Sequence, residues 1–397
     1  MNRIIFFTSQ NSYIFAPKVP NNRYCNSGDF VYFAAGVSCL FGINSVQFST
    51  YEDIESRLAK EPNYFKNNYD LAINMQANIF SLDFVSNMNY IAELIRRMKI
   101  PVFILGAGAQ STIDYSEDFL DSISESSQNF LDSIFNSGGD ITLRGEFTKY
   151  CLEKLGYKDL FVSGCPSFYM SGFSDSVISN KKVGKDVFCP MFNGQSVQEI
   201  NSRLYESYPE SLFFDQGYYF DLLYTPELLT DERFNQLREP VKKMFVSRRI
   251  DGDMNYYLWR KRILDKKVNF SYGSRLHGNV IAIQLGIPCY INVIDSRVRE
   301  IVELFNLPSN LTYHFNEVSD DLYDLYKSID YSQFNKSYLK MFLNFEKYLN
   351  THGIPNRLRD SHDDFINCLS QLTYFDYRKN DKLEEKVRHL SSICYCS

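Results

Sequence analysis

The sequence predicts an α/β protein made of two Rossmann-like, doubly wound units facing a cleft. Three observations carry this. Short apolar runs alternate with segments of helical period over the first 165 residues; a second series of the same kind follows a polar stretch at 171–186; and polar residues suited to an anion stand directly after several of the runs. The length of 397 residues fits two or three domains at roughly 100 to 200 residues each.

In chain order, IIFFT (4–8), SVQF (45–48), LAINM (71–75), VFILGA (102–107), DITL (140–143) and LFVSG (160–164) read as strands of a parallel sheet, each a short apolar run bounded by turn-forming or polar residues. Between the first two, Phe30, Phe33, Ala34, Val37 and Phe41 recur at the spacing of a helix with one face on a sheet. The stretch SGFSDSVISNKKVGKD (171–186) reads as a linker. Beyond it, DVFCPMF (186–192), SLFF (211–214), KMFV (243–246), VNFSY (268–272) and PCYINVI (288–294) predict a second set of strands, with helices near 196–206, 254–265, 276–286 and 296–305. The predicted organisation is a first unit over 1–175, a second over 176–330, and a charged, aromatic, mainly helical tail over 331–397. That tail either caps the second unit or crosses back to the first.

Composition argues against several classes. With 42 Lys and Arg against 48 Asp and Glu the formal charge is -6, and no basic stripe is interleaved with aromatics, so no nucleic-acid partner is expected. Nine cysteines, widely scattered and mostly among apolar neighbours, predict reduced thiols instead of a disulfide framework. The close pair Cys394 and Cys396 lacks the second ligand pair of a zinc site, so no metal is expected. The opening MNRIIFFTSQ has too short an apolar run for a signal segment, and nowhere do roughly 18 apolar residues follow one another. The expectation is a cytoplasmic protein, docked at most peripherally at the inner face of the membrane.

Five junctions hold the candidate functional residues. Asn26-Ser27-Gly28-Asp29 opens the first predicted helix with cap residues and an acid, an arrangement that also suits a bare cap. In VFILGAGAQ, Gly106 and Gly108 let backbone N–H groups approach a phosphate or carboxylate, with Gln110 beside them. Ser111 stands where a dinucleotide fingerprint has its third glycine, which argues against a nicotinamide cofactor. Arg144 in DITLRGEF lies at a strand tip, as a fixed anion contact or a surface ion pair. Gly164-Cys165-Pro166 is a turn after the last strand of the first unit.

The fifth junction is SYGSRLHGNV. With Ser274 as N-cap of a helix whose apolar stripe is Leu276, Val280 and Ile283, Arg275 and His277 lie about 100° either side of that stripe, and both reach an anion at the helix mouth. The alternative is a capped core helix with incidental polar residues. Asp251-Gly252-Asp253 resembles a metal-holding acidic pair but reads as a solvated turn.

In type and order these junctions resemble the polysaccharide pyruvyl transferase family. The carriers are NSGD, ILGAGAQ, TLRGEFTKYCLEKLG with VSGCPSF, and SRLHGNVIAIQLGIPCYINV followed by DSRV, over roughly residues 1–300. The resemblance implies a GT-B-like pair of domains and transfer of a pyruvyl group from phosphoenolpyruvate onto sugar hydroxyls of a polysaccharide or its precursor, forming a pyruvate ketal and releasing phosphate. It implies phosphoenolpyruvate as donor substrate, no further cofactor, and a glycan or lipid-linked saccharide as acceptor.

On that basis Arg144 and Arg275 orient the donor, His277 protonates its methylene carbon as general acid, and Asp29 is the base for the acceptor hydroxyl. Asn26, Gly106, Gly108, Gln110 and Ser274 line the wall. Arg275 lowers the His277 pKa and a bound anionic donor raises it, so imidazolium is expected once the donor is present. Where the family often has Gly-Asp-Pro, this chain has Gly164-Cys165-Pro166. Two other readings compete: a glycosyltransferase of the same architecture with a nucleotide-sugar donor, and a non-catalytic member of a polysaccharide assembly cluster.

Overall fold

Twelve strands among the described residues form two six-stranded sheets, and every pairing is parallel. The computed structural model describes residues 2–8, 28–40, 46–171, 177–194, 206–216, 223, 226–237, 239–252, 255–311, 321–371, 379 and 381–396. The first lobe runs β1 (Ile4–Thr8), α1 (Gly28–Leu40), β2 (Val46–Thr50), α2 (Tyr51–Lys60), α3 (Tyr64–Asn68), β3 (Leu71–Met75), α4 (Val85–Met98), β4 (Val102–Ala107), α5 (Leu120–Asn136), β5 (Asp140–Leu143), α6 (Glu146–Lys154) and β6 (Phe161–Val162). The second runs β7 (Pro190–Phe192), β8 (Leu212–Phe214), α7 (Asp231–Asn235), α8 (Glu239–Val246), β9 (Ile250–Asp251), α9 (Tyr256–Asp265), β10 (Phe270–Gly273), α10 (Leu276–Gln284), β11 (Cys289–Val293), α11 (Ser296–Phe305) and β12 (Ser309–Leu311). The tail holds α12 (Leu322–Ser328), α13 (Ser332–Thr351), α14 (Asp363–Ser370) and α15 (Asp381–Cys396).

The strand orders are β2-β1-β3-β4-β5-β6 and β12-β11-β10-β7-β8-β9. In each, the chain builds outward on one side, then returns to build on the other, so the direction of winding reverses beside β1 in the first sheet and between β7 and β10 in the second. This is the doubly wound arrangement that the alternation predicts, in the paired, GT-B-like form that the family resemblance implies. Such reversals open a crevice at the carboxyl ends of the strands, because the crossover chains diverge there. The strands are short and apolar on both faces: β1, β3 and β4 are buried throughout, since helices cover the sheet on each side.

The elements depart from sequence expectation at several points. KMFV is the last turn of α8 and not a strand: Val241, Met244 and Phe245 recur at three- and four-residue spacing and all three are buried, while the edge strand is the later pair Ile250–Asp251. Asp251 is no solvated turn residue; it is buried in β9 and ion-paired with Arg262 on α9, and Asp253 lies outside the described residues. β12 was not foreseen, its three residues SNL being too polar and short to signal a strand.

The helix from residue 28 has no exposed side among Val31–Leu40. It packs against the 3-10 segment Pro166–Ser171 and α10 as well as the sheet, which is why its sequence VYFAAGVSCL carries no polar face. The Phe30 side chain, Phe41, and most of the helix expected at 196–206 lie outside the described residues.

The tail does both things left open for it. α13 crosses back: Phe345 stacks on Tyr169 at 4.9 Å, His352 pairs with Asp140 at 3.2 Å, and Arg357 N donates to Cys39 O. α15 packs on α8 of the second lobe. No helix among the described residues is long and apolar enough to cross a membrane. The cysteines 39, 151, 165, 189, 289 and 368 are free thiols.

Candidate functional site

A cavity of about 220 Å³ lies where the carboxyl ends of the two sheets meet. Its wall takes Ala77 and Asn78 from beyond β3, Arg144 from beyond β5, Gln216 from beyond β8, Ser274, Arg275, Leu276 and His277 from beyond β10, and Ile294, Asp295, Arg297 and Val298 from beyond β11. Phe84 closes one side. The residue after a parallel strand is where a side chain escapes the core, so five strand ends deliver polar groups to one point.

Arg144 is 3% exposed, with its guanidinium over the Tyr32 ring at 6.0 Å. Its Nη2 donates to Cys165 Sγ at 3.6 Å, and its Nε has no hydrogen-bond partner among the described residues. Its backbone N donates to Ala107 O at 2.7 Å, which fixes the chain as it leaves β5. Among the described residues it forms no ion pair. A buried cation without a carboxylate is expensive unless a bound anion completes it.

Arg275, not Ser274, is the N-cap of α10, and its side chain makes no capping hydrogen bond. The turn is pinned from within: Asn279, one turn along, donates to the carbonyls of Gly273 and Arg275 at 3.1 and 3.0 Å, and Arg275 N donates to Asn193 O at 3.0 Å. α10 is buried over its whole length instead of along one stripe. Ser274 Oγ and Gln216 Nε2 are buried and have no hydrogen-bond partner among the described residues. The third arginine, Arg297, is held by Asp295 at 2.5 Å, and Asp295 also caps α11 through Val298 N at 3.0 Å.

His277 sits between the arginines, its ring 5.9 Å from that of Tyr32 and its Nε2 3.8 Å from Cys165 Sγ. Burial first, then Arg144, Arg297 and Arg275, push its imidazole down to about 3, so the ring is neutral in the unliganded protein near neutral pH.

The glycine loop after β4 has a different use from the one its sequence suggests. Gly106 N donates to Thr142 Oγ1, Ala109 N to Thr148 Oγ1, Gln110 N to Phe80 O and Ser111 N to Ser296 Oγ, all within 3.0 Å. These donors are spent on the protein, and neither glycine is in the described cavity wall. Gly106, at φ +72°, has Pro166 where a Cβ would stand; a Cβ on Gly108 would meet Ala77 O at 2.6 Å and the Arg144 side chain at 3.3 Å. Gly108 thus lets Arg144 past. Gln110 accepts from Asn78 Nδ2 at 3.0 Å and so buttresses a wall residue.

Arg144, Ser274, Arg275 and His277 therefore meet at the cavity, whereas Gly106, Gly108 and Gln110 support it from behind. Asn26 and the side chain of Asp29 lie outside the described residues. Sequence reasoning assigned no role to Asn78, Gln216 and Arg297. The DSRV segment after β11 carried the available signal, an Asp N-cap followed by a basic residue at a strand tip. No group of three or more His, Cys, Asp or Glu suited to a metal occurs among the described residues.

Fold and site define a two-lobed α/β protein with a cationic cavity between its sheets. The polysaccharide pyruvyl transferase family model matches residues 48–295, more than half of the chain, and the chain belongs to that family. It is thereby a transferase of polysaccharide modification. Among solved structures, the chain is similar to a functionally uncharacterised protein of Klebsiella pneumoniae (16% identity over 78% of this chain and 93% of that one, TM-score 0.41). It is also similar to MnaA of S. aureus bound to UDP (12%, 88% and 97%, TM-score 0.47) and to HepE of Anabaena in complex with UDP (9%, 93% and 100%, TM-score 0.40). Among curated proteins none matches.

Proposed function

We propose that the protein moves a pyruvyl group from phosphoenolpyruvate onto sugar hydroxyls of a polysaccharide or its precursor, forming a pyruvate ketal and releasing phosphate. The single observation that carries this is Arg144, a buried guanidinium facing the cavity with an unpartnered Nε and no ion pair among the described residues. A donor bearing both a carboxylate and a phosphate supplies the missing charge. Arg144 grips one group, Arg275 and the open N-terminus of α10 the other, and Arg297 adds a third positive charge. The small volume suits a three-carbon donor better than a drug-sized ligand, which needs roughly 300–1,000 Å³.

His277 delivers a proton to the methylene carbon. This leaves an oxocarbenium-like centre for the first sugar hydroxyl; the second displaces phosphate and closes the ketal. Family membership supports the polysaccharide acceptor. The test is phosphate release from phosphoenolpyruvate with a panel of acceptor glycans, in wild type and in His277→Gln. The variant is expected to lose about 10²- to 10⁴-fold in turnover while binding the donor. Binding of a nucleotide sugar with no calorimetric binding of phosphoenolpyruvate would overturn the reading in favour of glycosyl transfer.

A further inference from the structure

Cys165, in the turn after β6, is fully buried and meets the imidazole of His277, and unlike His277 it is not among the residues lining the cavity. Its sulfur is 3.8 Å from His277 Nε2 and 3.0 Å from Ser167 Oγ, and it accepts from Arg144 Nη2 at 3.6 Å. The charged and titratable groups around the ring come from every neighbouring element. They are Tyr32 on α1, whose hydroxyl is committed to Leu105 O at 2.8 Å, Arg144 after β5, Cys165 after β6, Arg275 before α10, and Arg297 with its partner Asp295 at the start of α11. Among the described residues no carboxylate hydrogen-bonds the imidazole; the thiol is its one polar partner.

Donor and acceptor roles follow from chemistry. A guanidinium only donates, so the sulfur accepts from Arg144. The thiol hydrogen goes to the stronger base of its two remaining neighbours, and that is the imidazole nitrogen, not the serine hydroxyl. Nε2 then accepts, and the ring hydrogen belongs on Nδ1, the nitrogen that the thiol does not meet.

We infer that Cys165 is the positioning residue of the proton transfer: its S–H, donated to Nε2, holds His277 as the neutral ring with a hydrogen on Nδ1, and passes to Nε2 as the Nδ1 proton leaves for the donor. This rests on the proposed reading of His277 as proton source. The π pair of the donor's double bond takes the Nδ1 proton and becomes the methyl C–H bond, while the S–H proton moves to Nε2 and leaves a thiolate facing Arg144. When the first sugar hydroxyl attacks the cationic carbon, its proton goes to Nδ1 and Nε2 returns one to sulfur. The second hydroxyl displaces phosphate, which carries off the last proton.

The relay solves a difficulty that the cavity creates. Three guanidiniums penalise an imidazolium, and burial and those arginines hold the ring neutral down to about 3; in place of the imidazolium expected from the sequence once the donor is bound, the relay keeps the imidazole free of net charge throughout. A thiol surrenders a proton far more readily than a serine hydroxyl.

Imidazole-nitrogen NMR of the full chain tests this, with the His277 signals assigned by their loss in His277→Gln. At about pH 7 the wild type is expected to show a neutral Nδ1–H ring, both alone and with phosphoenolpyruvate added. Cys165→Ala is expected to lose the tautomer preference. Cys165→Asp, which restores the carboxylate the family often has there, is expected to convert the ring to imidazolium. Imidazolium in the wild-type complex, or the same tautomer and charge in both variants, overturns the inference. Should Cys165→Ala fail to fold, the Asp variant still decides. Failure of the wild type to bind phosphoenolpyruvate by calorimetry would instead sink the proposed function, while the ring in the unliganded protein continues to report on the thiol contact.

Discussion

The carboxyl group of Glu300, on α11 of the second lobe, accepts hydrogen bonds from the backbone N and the Oγ1 of Thr148, in the first turn of α6 of the first lobe, at 3.0 and 2.9 Å. The N-cap of α6 is Gly145, which has no side chain to offer, and a Cβ there would lie 2.6 Å from Glu300 Oε2. The helix that carries Arg144 at its mouth is therefore capped from across the lobe boundary. Thr148 Oγ1 in turn receives Ala109 N, and Ser296 joins the same loop, so the glycine loop acts as a clasp between lobes.

Burial lifts the Glu300 carboxyl to about 8, against the opposing pull of the Thr148 hydrogen bonds and Arg144. The folded pKa is above the unfolded value, so this group's contribution to stability is full below about pH 4.3 and is lost as pH rises through about 8. Glu300→Gln should flatten that dependence. Urea midpoints measured from pH 4.5 to 8 should fall with pH more steeply in wild type than in the variant. Parallel curves would show that the carboxyl stays ionised.

His277 acts in the opposite sense. Its folded pKa of about 3 lies below the usual value of about 6.5, so its contribution is present above pH 6.5 and lost as pH falls toward 3. His362, pushed down to about 4 by burial and then Arg260 and Arg357, behaves alike. His277→Gln should lose less stability than wild type between pH 6.5 and 4, with a residual slope from His362. An unaltered acid limb would mean that the ring is already protonated when folded.

Arg144→Lys keeps the charge and removes the planar fork. A hydrogen bond to a charged group contributes about 1.5–3 kcal/mol, so phosphoenolpyruvate affinity should drop by about 10- to 100-fold in a calorimetric titration. Equal affinity for the Lys variant would show that Arg144 is structural only.

Gly278→Ala tests the far wall. Alanine favours a helix interior by about 1 kcal/mol, but its Cβ would stand 2.2 Å from Asn193 Oδ1 and 2.4 Å from Gln216 Nε2. Overpacking of that kind costs about 1–3 kcal/mol, and the overlap outweighs the propensity. The variant should unfold at lower urea and bind the donor more weakly, because Gln216 is pushed from the wall. A rise in the urea midpoint would mean that both side chains move aside freely.

Eight of the eleven strand segments read from the sequence overlap closely with strands of the two sheets, because a strand buried on both faces must be apolar wherever it later pairs. The remainder were trimmed or, for KMFV, turned out helical, since a four-residue apolar run suits either state until its neighbours choose.

What the chain by itself determined is local: which segments are apolar, where they stop, and that Arg144, Ser274, Arg275 and His277 follow strand ends. What only the tertiary structure decided is which of those ends share a space. Cys165 and His277 are 112 positions apart, and Thr148 and Glu300 are 152 apart. No periodicity within either segment encodes the other, because such pairs arise only when two separately wound sheets close on each other. That closure turned the glycine loop into a clasp, brought Arg297 and Gln216 to the cavity, and gave the imidazole a thiol for its partner.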